Sequence, residues 1–337
     1  MRYRLLGRTG LYVSELALGT NMHGGKDERW KVYGALGQQE STAVMGAAID
    51  GGINFIDTAD SYGEGESEMR VGQAVRDLKL ARDRVLIGSK VYIRTGPGPN
   101  DVGASRGHIM SAVEGSLKRL QTDYLDLYTL HNYDTLTPLE ETLRAFDDLV
   151  RQGKVRYIGC SNFAAWQVMK ANGISDRMGY VRFQALENLY MLGSREVERE
   201  IVPMLLDQGM SLLVWGPLAS GILSGKYKRD GTGPAGSRLT YDEDSKLRPD
   251  LVAGKVDKAF DALDALAPIA AAHGVPVAQV ALAWLLSRPG LTAPIIGATK
   301  LAQLEDALAS TSVALGQEDL DELDRSYTWN RNLGMIL

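Results

Sequence analysis

One cysteine, Cys160, stands in a chain of 337 residues. A lone thiol excludes an internal disulfide and any cysteine-cluster metal site. No window approaches the ~20 consecutive apolar residues of a membrane-spanning helix. The opening MRYRLLGRTG lacks the apolar segment of a secretory leader. Positive charge is not in excess: 37 Lys and Arg against 42 Asp and Glu leave a formal charge of −5. Sequence-independent nucleic-acid binding needs a basic face, so it is not expected. Low-complexity tracts and long charge runs are absent too. Apolar residues make up 45% of the chain, in the range of a globular protein with a large core. The expectation is a soluble cytoplasmic protein with a large core, and neither nucleic acid nor membrane as partner. Oligomeric state is not legible.

What the chain does have is a repeated alternation. Short apolar, β-rich runs cover 16–19, 53–57, 85–90, 124–131, 155–161, 181–187, 211–215 and 293–297. Between them lie segments with helical spacing: 42–50, 109–120, 138–152, 196–208, 258–273, 277–287 and 301–309. In 109–120 the residues Ile109, Val113, Ser116, Leu117 and Leu120 fall on one stripe. Helix 138–152 has Pro138 in its first turn and Gly153 as its stop. Strand–helix units of this kind predict a parallel α/β sheet, and strands apolar almost throughout predict burial on both faces. A doubly wound sheet usually has fewer strands and a Gly-rich first turn, so the count of eight favours a closed (β/α)8 TIM barrel. The chain reads as one domain over 1–337. Residues 2–14 read as an N-terminal β-hairpin capping the barrel bottom. Residues 216–255 form a long loop after strand seven, too long for an ordinary connection and therefore a functional loop over the mouth.

In such a barrel the active site lies at the carboxyl ends of the strands. Here the apolar runs end in residues that a packed core would not choose. The second ends in Asp57, the third in Lys90, the fourth in His131, and the fifth in Ser161 and Asn162. The sixth carries Gln184 and the seventh ends in Trp215. A polar exit residue is ordinary for any one strand. A carboxylate, an ammonium and an imidazole on three successive strands converge between low-dielectric walls, where ions need partners. Tyr62 follows Asp57 in the loop DTADSYGEG. An unperturbed phenol, with a pKa near ~10, is too weak an acid to give up a proton readily at neutral pH. A neighbouring ammonium lowers that value, and one unit charge at ~4 Å and an effective dielectric of ~20 is worth about 4 kcal/mol. Lys90 would supply that charge and Asp57 would keep it protonated. His131 would hydrogen-bond and orient a carbonyl oxygen. The set reads as a proton donor aimed at a developing alkoxide. It contains no nucleophile and makes a poor zinc site. A barrel lyase or isomerase using Lys90 as a Schiff base leaves Asn162 and Gln184 unexplained.

These residues closely resemble the aldo-keto reductase superfamily over nearly the whole chain. Gly52-Ile-Asn-Phe-Ile-Asp57-Thr-Ala is similar to its first signature. Asp148-Leu-Val-Arg-Gln-Gly153-Lys-Val-Arg-Tyr-Ile-Gly159-Cys-Ser161-Asn162 is similar to its second. Asp57, Tyr62, Lys90 and His131 match the family's catalytic tetrad in identity, order and strand position. The resemblance implies a (β/α)8 barrel and reversible, NADPH-dependent carbonyl reduction by direct hydride transfer, with Tyr62 as general acid. The segments Trp215-Gly-Pro-Leu218 and Gly221-Ile-Leu-Ser224-Gly-Lys226-Tyr227 are similar to a branch holding bacterial reductases and the β subunits of voltage-gated potassium channels. That branch keeps a second reading open: a cofactor-binding, redox-sensing partner subunit with little turnover.

The resemblance also distributes cofactor contacts. Ser161, Asn162 and Gln184 would bind the nicotinamide carboxamide, an amide needing both donor and acceptor. Trp215 would stack on the ring, and Thr20 and Asn21 would lie near its ribose. Gly216, Pro217, Leu218 and Ser220 would line the pyrophosphate, with Lys226 adding positive charge. This loop fails the Walker A spacing, and no G-x-G-x-x-G joins an apolar strand run to a helical segment as a dinucleotide fingerprint would; read alone, 216–227 is equally a surface loop. Gly297, Thr299, Lys300, Gln303 and Asp306 lie after the last strand where a helix opens, a place that suits an anion. Thr299 and Lys300 would face an adenosine 2′-phosphate, Gln303 and Asp306 the adenine. The better-known branch has Lys at position 297 and Arg at 303. Gly297 and Gln303 therefore imply NADPH preference with NADH possible, and Lys300 alone is equally an exposed helix residue. For the substrate, loops after the first, third and fourth strands supply Trp30, Tyr33, Tyr92, Asn132 and Tyr133. Aromatic walls of this kind admit many apolar carbonyl compounds. Trp30 is equally readable as a loop anchor, and His23 is a further residue near the first strand. Cys160 is read as a small buried hydrophobe without chemistry.

Overall fold

A computed structural model describes residues 1–25, 36–235, 237–239 and 255–327. Trp30 and Tyr33 lie outside them, as does the middle of the long loop. The chain opens with a hairpin of β1 (Tyr3–Leu5) and β2 (Tyr12–Ser14), in register Tyr3 with Ser14 and Leu5 with Tyr12. Eight parallel strands then close on themselves: β3 (Ala17–Gly19), β4 (Phe55–Asp57), β5 (Leu86–Val91), β6 (Leu125–Leu130), β7 (Val155–Ser161), β8 (Phe183–Leu189), β9 (Ser211–Trp215) and β10 (Leu291–Ile296), with β10 returning to β3. Helices cover the outside: α1 (Gln38–Asp50), α2 (Glu66–Asp77), α3 (Arg106–Leu120), α4 (Leu139–Arg151), α5 (Ala165–Met178), α6 (Ile201–Gln208), α7 (Val256–His273), α8 (Val277–Leu286), α9 (Leu301–Ala309) and α10 (Gln317–Arg325). The (β/α)8 expectation holds. Runs 155–161 and 211–215 coincide with β7 and β9. Helices α2, α5 and α10 had no counterpart in the helical segments read from the sequence. The spacing in α2 is diluted by the buried polar Ser67 and Glu68.

Two cores share the strands. The outer one lies between strands and helices; the buried face of α4 contributes Leu143, Phe146 and Leu149. The face of α7 that carries Leu266, Ile269 and Ala270 packs there too. Cys160 sits in this layer, fully buried, with burial pushing its thiol pKa well up. The inner core fills the barrel's lower half with Ala17, Phe55, Leu86, Leu127, Ala185, Leu213, Ala293 and Ile295, and Leu6 and Val13 from the hairpin segment close it below. Hydrogen bonds fix that closure. Gly7 N donates to Ser211 Oγ at 2.7 Å, and Arg4 donates to the carbonyls of Leu291 at 2.5 Å and Leu286 at 3.0 Å.

Side chains alternate along a strand, so the inward positions continue upward in steps of two. From Phe55 the next is Asp57, from Leu86 the series runs through Gly88 to Lys90, and from Leu127 through Thr129. From Ala185 it reaches Glu187, and from Leu213 it reaches Trp215. Thus the apolar filling of the lower half gives way, within one or two steps, to the polar floor of the mouth.

Candidate active site

Lys90 is completely buried at the end of β5, and its Nζ is held from three sides. It donates to Asp57 Oδ2 at 2.5 Å, to the Thr58 carbonyl at 3.1 Å and to Tyr62 Oη at 3.4 Å. A second carboxylate, Glu187 Oε2, lies 3.4 Å from the same nitrogen. His131 stands across the phenol, its ring edge-on to Tyr62 with centroids 5.8 Å apart. The four residues expected to converge do converge.

The backbone aims them. After Tyr62 the chain takes left-handed conformations at Gly63 (φ 56°), Glu64 (φ 58°) and Gly65 (φ 90°). A Cβ on Gly63 would come within 2.9 Å of the Gly25 amide nitrogen, so only glycine lets the Tyr62 turn seat against that loop. Below the turn, Ser67 Oγ donates to the Thr20 carbonyl at 2.7 Å, and Thr20 Oγ1 donates to the Asp57 carbonyl at 2.9 Å. Thr20 is therefore a fully buried tie between β3 and β4, its hydroxyl committed inward, while Asn21 beside it is half-buried.

Protonation follows from burial and proximity. Burial acts to lower the Lys90 pKa, but Asp57, Glu187 and Tyr62 together carry it above its ordinary value, so it stays charged. Burial raises Asp57, opposed by Lys90. Burial and the nearby Asp57 push Glu187 up to about 8 against the pull of Lys90. With one ammonium between two carboxylates, the closer, Asp57, keeps the charge and Glu187 holds the proton. Burial, then the charge of Lys90, pull His131 down to about 3, so its imidazole is neutral. Its Nδ1 has no hydrogen-bond partner among the described residues. Tyr62 corrects the sequence expectation. Burial raises its phenol above the ordinary value; Lys90 acts to lower it but is outweighed, and Asp57 and Glu187 reinforce the rise.

Ser161 ends β7 and Asn162 follows it. Asn162 adopts φ 60°, which an asparagine tolerates, and its side chain ties the mouth together. Its Nδ2 donates to the His131 carbonyl and to Ser161 Oγ, both at 3.1 Å, and Oδ1 accepts from Trp215 Nε1 at 3.0 Å. Beyond the half-buried Trp215, left-handed conformations recur at Gly216 (φ 67°), Ala219 (φ 49°), Ser220 (φ 53°) and Gly221 (φ 100°). Pro217 is buried and Leu218 packs partly against the outer core, while the N–H groups of Ala219 and Gly221 turn back to the carbonyls of Gly216 at 3.0 Å and Leu218 at 2.9 Å. Lys226 overhangs it: a Cβ on Gly221 would meet the lysine Cε at 3.0 Å and Nζ at 3.2 Å.

Gln184 is misplaced by the sequence reading. It is the second residue of β8, at the hairpin end of the barrel, where its Oε1 accepts from Arg8 N at 3.3 Å. The polar side chain that β8 turns inward at the mouth is Glu187. The signal for it was available: Glu187 ends the sixth apolar run as Asp57, Lys90 and His131 end theirs, and it shares the inward parity that Gln184 lacks.

At the last strand, Thr299 N and Oγ1 donate to Gln303 Oε1 at 2.8 and 3.1 Å, capping α9, and Asp306 accepts from Gln279 at 3.2 Å. Lys300 is exposed. A Cβ on Gly297 would meet the Met22 methyl at 2.4 Å, so a larger residue there requires Met22 to move. Tyr92, Asn132 and Tyr133 are half-buried. The Tyr133 ring stacks edge-on to Phe163 at 5.2 Å and lies 5.9 Å from Trp166, an exposed aromatic absent from the residues expected at the substrate wall. Among the described residues no group of side chains could hold a metal ion, and no single helix is long and apolar enough to cross a membrane.

Residues 15–328 match the model of the aldo/keto reductase family. A "Probable voltage-gated potassium channel subunit beta" of Oryza sativa subsp. japonica is 38% identical over 328 residues, covering 96% of this chain and 96% of that protein. Versiconal hemiacetal acetate reductase of Aspergillus parasiticus is 36% identical, covering 97% of each chain. An uncharacterized oxidoreductase of Bacillus subtilis (strain 168) is 38% identical, covering 96% of this chain and 95% of its own. A match of this extent, on a closed barrel whose mouth carries a buried lysine against a tyrosine, makes the chain a member of the aldo/keto reductase family and an NAD(P)H-dependent oxidoreductase.

Proposed function

We propose that the chain reduces the carbonyl of a small aldehyde, ketone or keto-sugar to an alcohol with NADPH, reversibly, and that Tyr62 is the general acid. The observation that carries this reading is the buried Lys90, which reaches Asp57 at 2.5 Å and Tyr62 at 3.4 Å with His131 alongside. When bound, the reduced nicotinamide supplies the hydride that goes to the carbonyl carbon. Tyr62 gives its phenolic proton to the oxygen, and the resulting phenolate regains a proton from solvent. Lys90 offsets the charge left on that phenolate, and Asp57 keeps Lys90 an ammonium. His131, neutral at physiological pH, hydrogen-bonds the substrate oxygen and orients it.

The surroundings suit a dinucleotide. Ser161 offers a hydroxyl, and Asn162 is pinned by three hydrogen bonds beside the half-buried Trp215 indole. Left-handed turns at Gly216 and over 219–221, with Lys226 above them, leave a charged bend in the chain that suits a pyrophosphate. Thr299 and Lys300 at the start of α9 suit a 2′-phosphate. Gly297 and Gln303 bring no charge, so some NADH use accompanies the NADPH preference. Tyr92, Asn132 and Tyr133 form the substrate wall. The partner-subunit reading draws on relatives named as potassium channel subunits, and turnover separates the two. A panel of aromatic and aliphatic aldehydes, 1,2-diketones and keto-sugars, run with NADPH on wild type and Tyr62→Phe, should show cofactor consumption in wild type alone. Failure of every carbonyl despite cofactor binding would favour the partner subunit.

A further inference from the structure

A buried ammonium with one carboxylate partner is a closed ion pair. Lys90 has two, on strands that face each other across the barrel: Asp57 on β4 at 2.5 Å and Glu187 on β8 at 3.4 Å. Both are almost wholly buried. Glu187 also sits where its flanking strands give it nothing else to answer to. Its register partners are Ser161 on β7 and Leu213 on β9, neither of which carries charge. The charged and titratable groups that face it are therefore Lys90, Asp57 and, through Lys90, Tyr62.

We propose that Glu187 is a positioning residue that acts through Lys90: the charge on its carboxyl sets how strongly the ammonium favours the Tyr62 phenolate, and so how readily Tyr62 gives up its proton. With Glu187 protonated, Lys90 faces one negative charge and its field reaches the phenol. With Glu187 ionised, two carboxylates face one ammonium, and the phenolate becomes a third anion in the same pocket. Tyr62 is then a weaker acid. The site carries a setting that solvent pH or a bound ligand can change without touching Tyr62 itself.

This inference rests on Tyr62 as the acid, so its test has an arm that needs no turnover. Infrared difference spectroscopy of the full chain should show the carbonyl stretch of a buried protonated carboxylic acid at mildly acidic pH. That stretch should be lost as pH rises through about 8 and be missing from E187Q. In the second arm, single-turnover reduction by wild type should fall roughly tenfold across that window, while E187Q should vary less than about twofold. The same pH fall in E187Q as in wild type overturns the proposal. So does a wild-type spectrum without the band, which decides the matter even if E187Q does not fold. A band that behaves as stated in a protein that reduces no carbonyl leaves Glu187 as the partner of Lys90 and instead refutes the reductase reading.

Discussion

The two ends of one barrel treat buried polarity in opposite ways. At the bottom, charge is closed off. Glu15, almost fully buried, takes the Arg2 backbone N–H at 2.9 Å and its guanidinium at 2.8 Å, with Arg4 at 3.8 Å. Leu6 and Val13 fill what remains. At the mouth, charge is left open. Lys90 is divided among Asp57, Glu187 and Tyr62, and His131 Nδ1 has no hydrogen-bond partner among the described residues. His23 and Asp60, on the loops beside that mouth, also keep buried atoms without hydrogen bonds among the described residues. The strands that join the ends are the same eight, so the difference lies in side chains two to four residues apart. One end holds the barrel together; the other is arranged for a reaction, at some cost to the fold.

Breaking the mouth should therefore cost activity, and breaking the bottom should cost stability. The largest effect expected is that of Tyr62→Phe. It should lower kcat by about 10²–10⁴-fold, or roughly 3–5 kcal/mol of barrier, with the melting temperature and cofactor affinity nearly unchanged. Parallel losses of turnover and of cofactor binding would mean a structural role. Next comes Leu6→Ala, which should cost about 3 kcal/mol in denaturant unfolding and leave kcat/KM intact wherever the protein is folded. A fall in kcat/KM with unchanged stability would erase the distinction between the ends.

A third effect concerns acid. Burial pulls His23 down to about 4 from an ordinary 6.5. Between these values the unfolded chain binds a proton that the folded chain refuses, so the stability tied to neutral His23 is complete above the ordinary value and lost as pH falls through about 4. Unfolding at pH 4 and at pH 7 should show His23→Gln removing roughly 2–3 kcal/mol of the wild-type difference. An unaltered difference would mean that His23 finds a proton acceptor on folding. The smallest effect is that of Gly63→Ala, at about 1–2 kcal/mol of stability. The Tyr62 turn would be displaced by the Gly25 backbone, so kcat should drop about tenfold. Full activity would show that this turn does not aim the phenol.

Much of this was legible in the sequence, for reasons that can be stated. Strand–helix alternation is a local property, and eight apolar runs left little choice of architecture. The positions of Asp57, Lys90 and His131 at the ends of their runs were enough to bring them together, since a parallel barrel puts all such ends on one face. The role implied for Gln184 by resemblance does not survive strand parity, which places it beside Arg8 at the hairpin end; Glu187 has both the inward parity and the end position. The Tyr62 phenol went wrong for a different reason. Attraction to Lys90 is readable from neighbours in sequence, but desolvation depends on everything that surrounds the hydroxyl, and Glu187, once ionised, adds a further negative charge from the opposite wall. Helix α2 was hidden because its buried Ser67 and Glu68 serve Thr20 and Arg119 across the barrel's flank.

The sealed thiol at the end of β7 has a practical corollary. Cys160 is the chain's sole sulfhydryl and has no exposed surface. An alkylating dye added to the native protein finds no target, so a cysteine introduced at a surface position becomes the only labelling point. Placed at Trp166, 58% exposed beside Tyr133, such a fluorophore reports arrivals and departures at one rim of the barrel against a silent background.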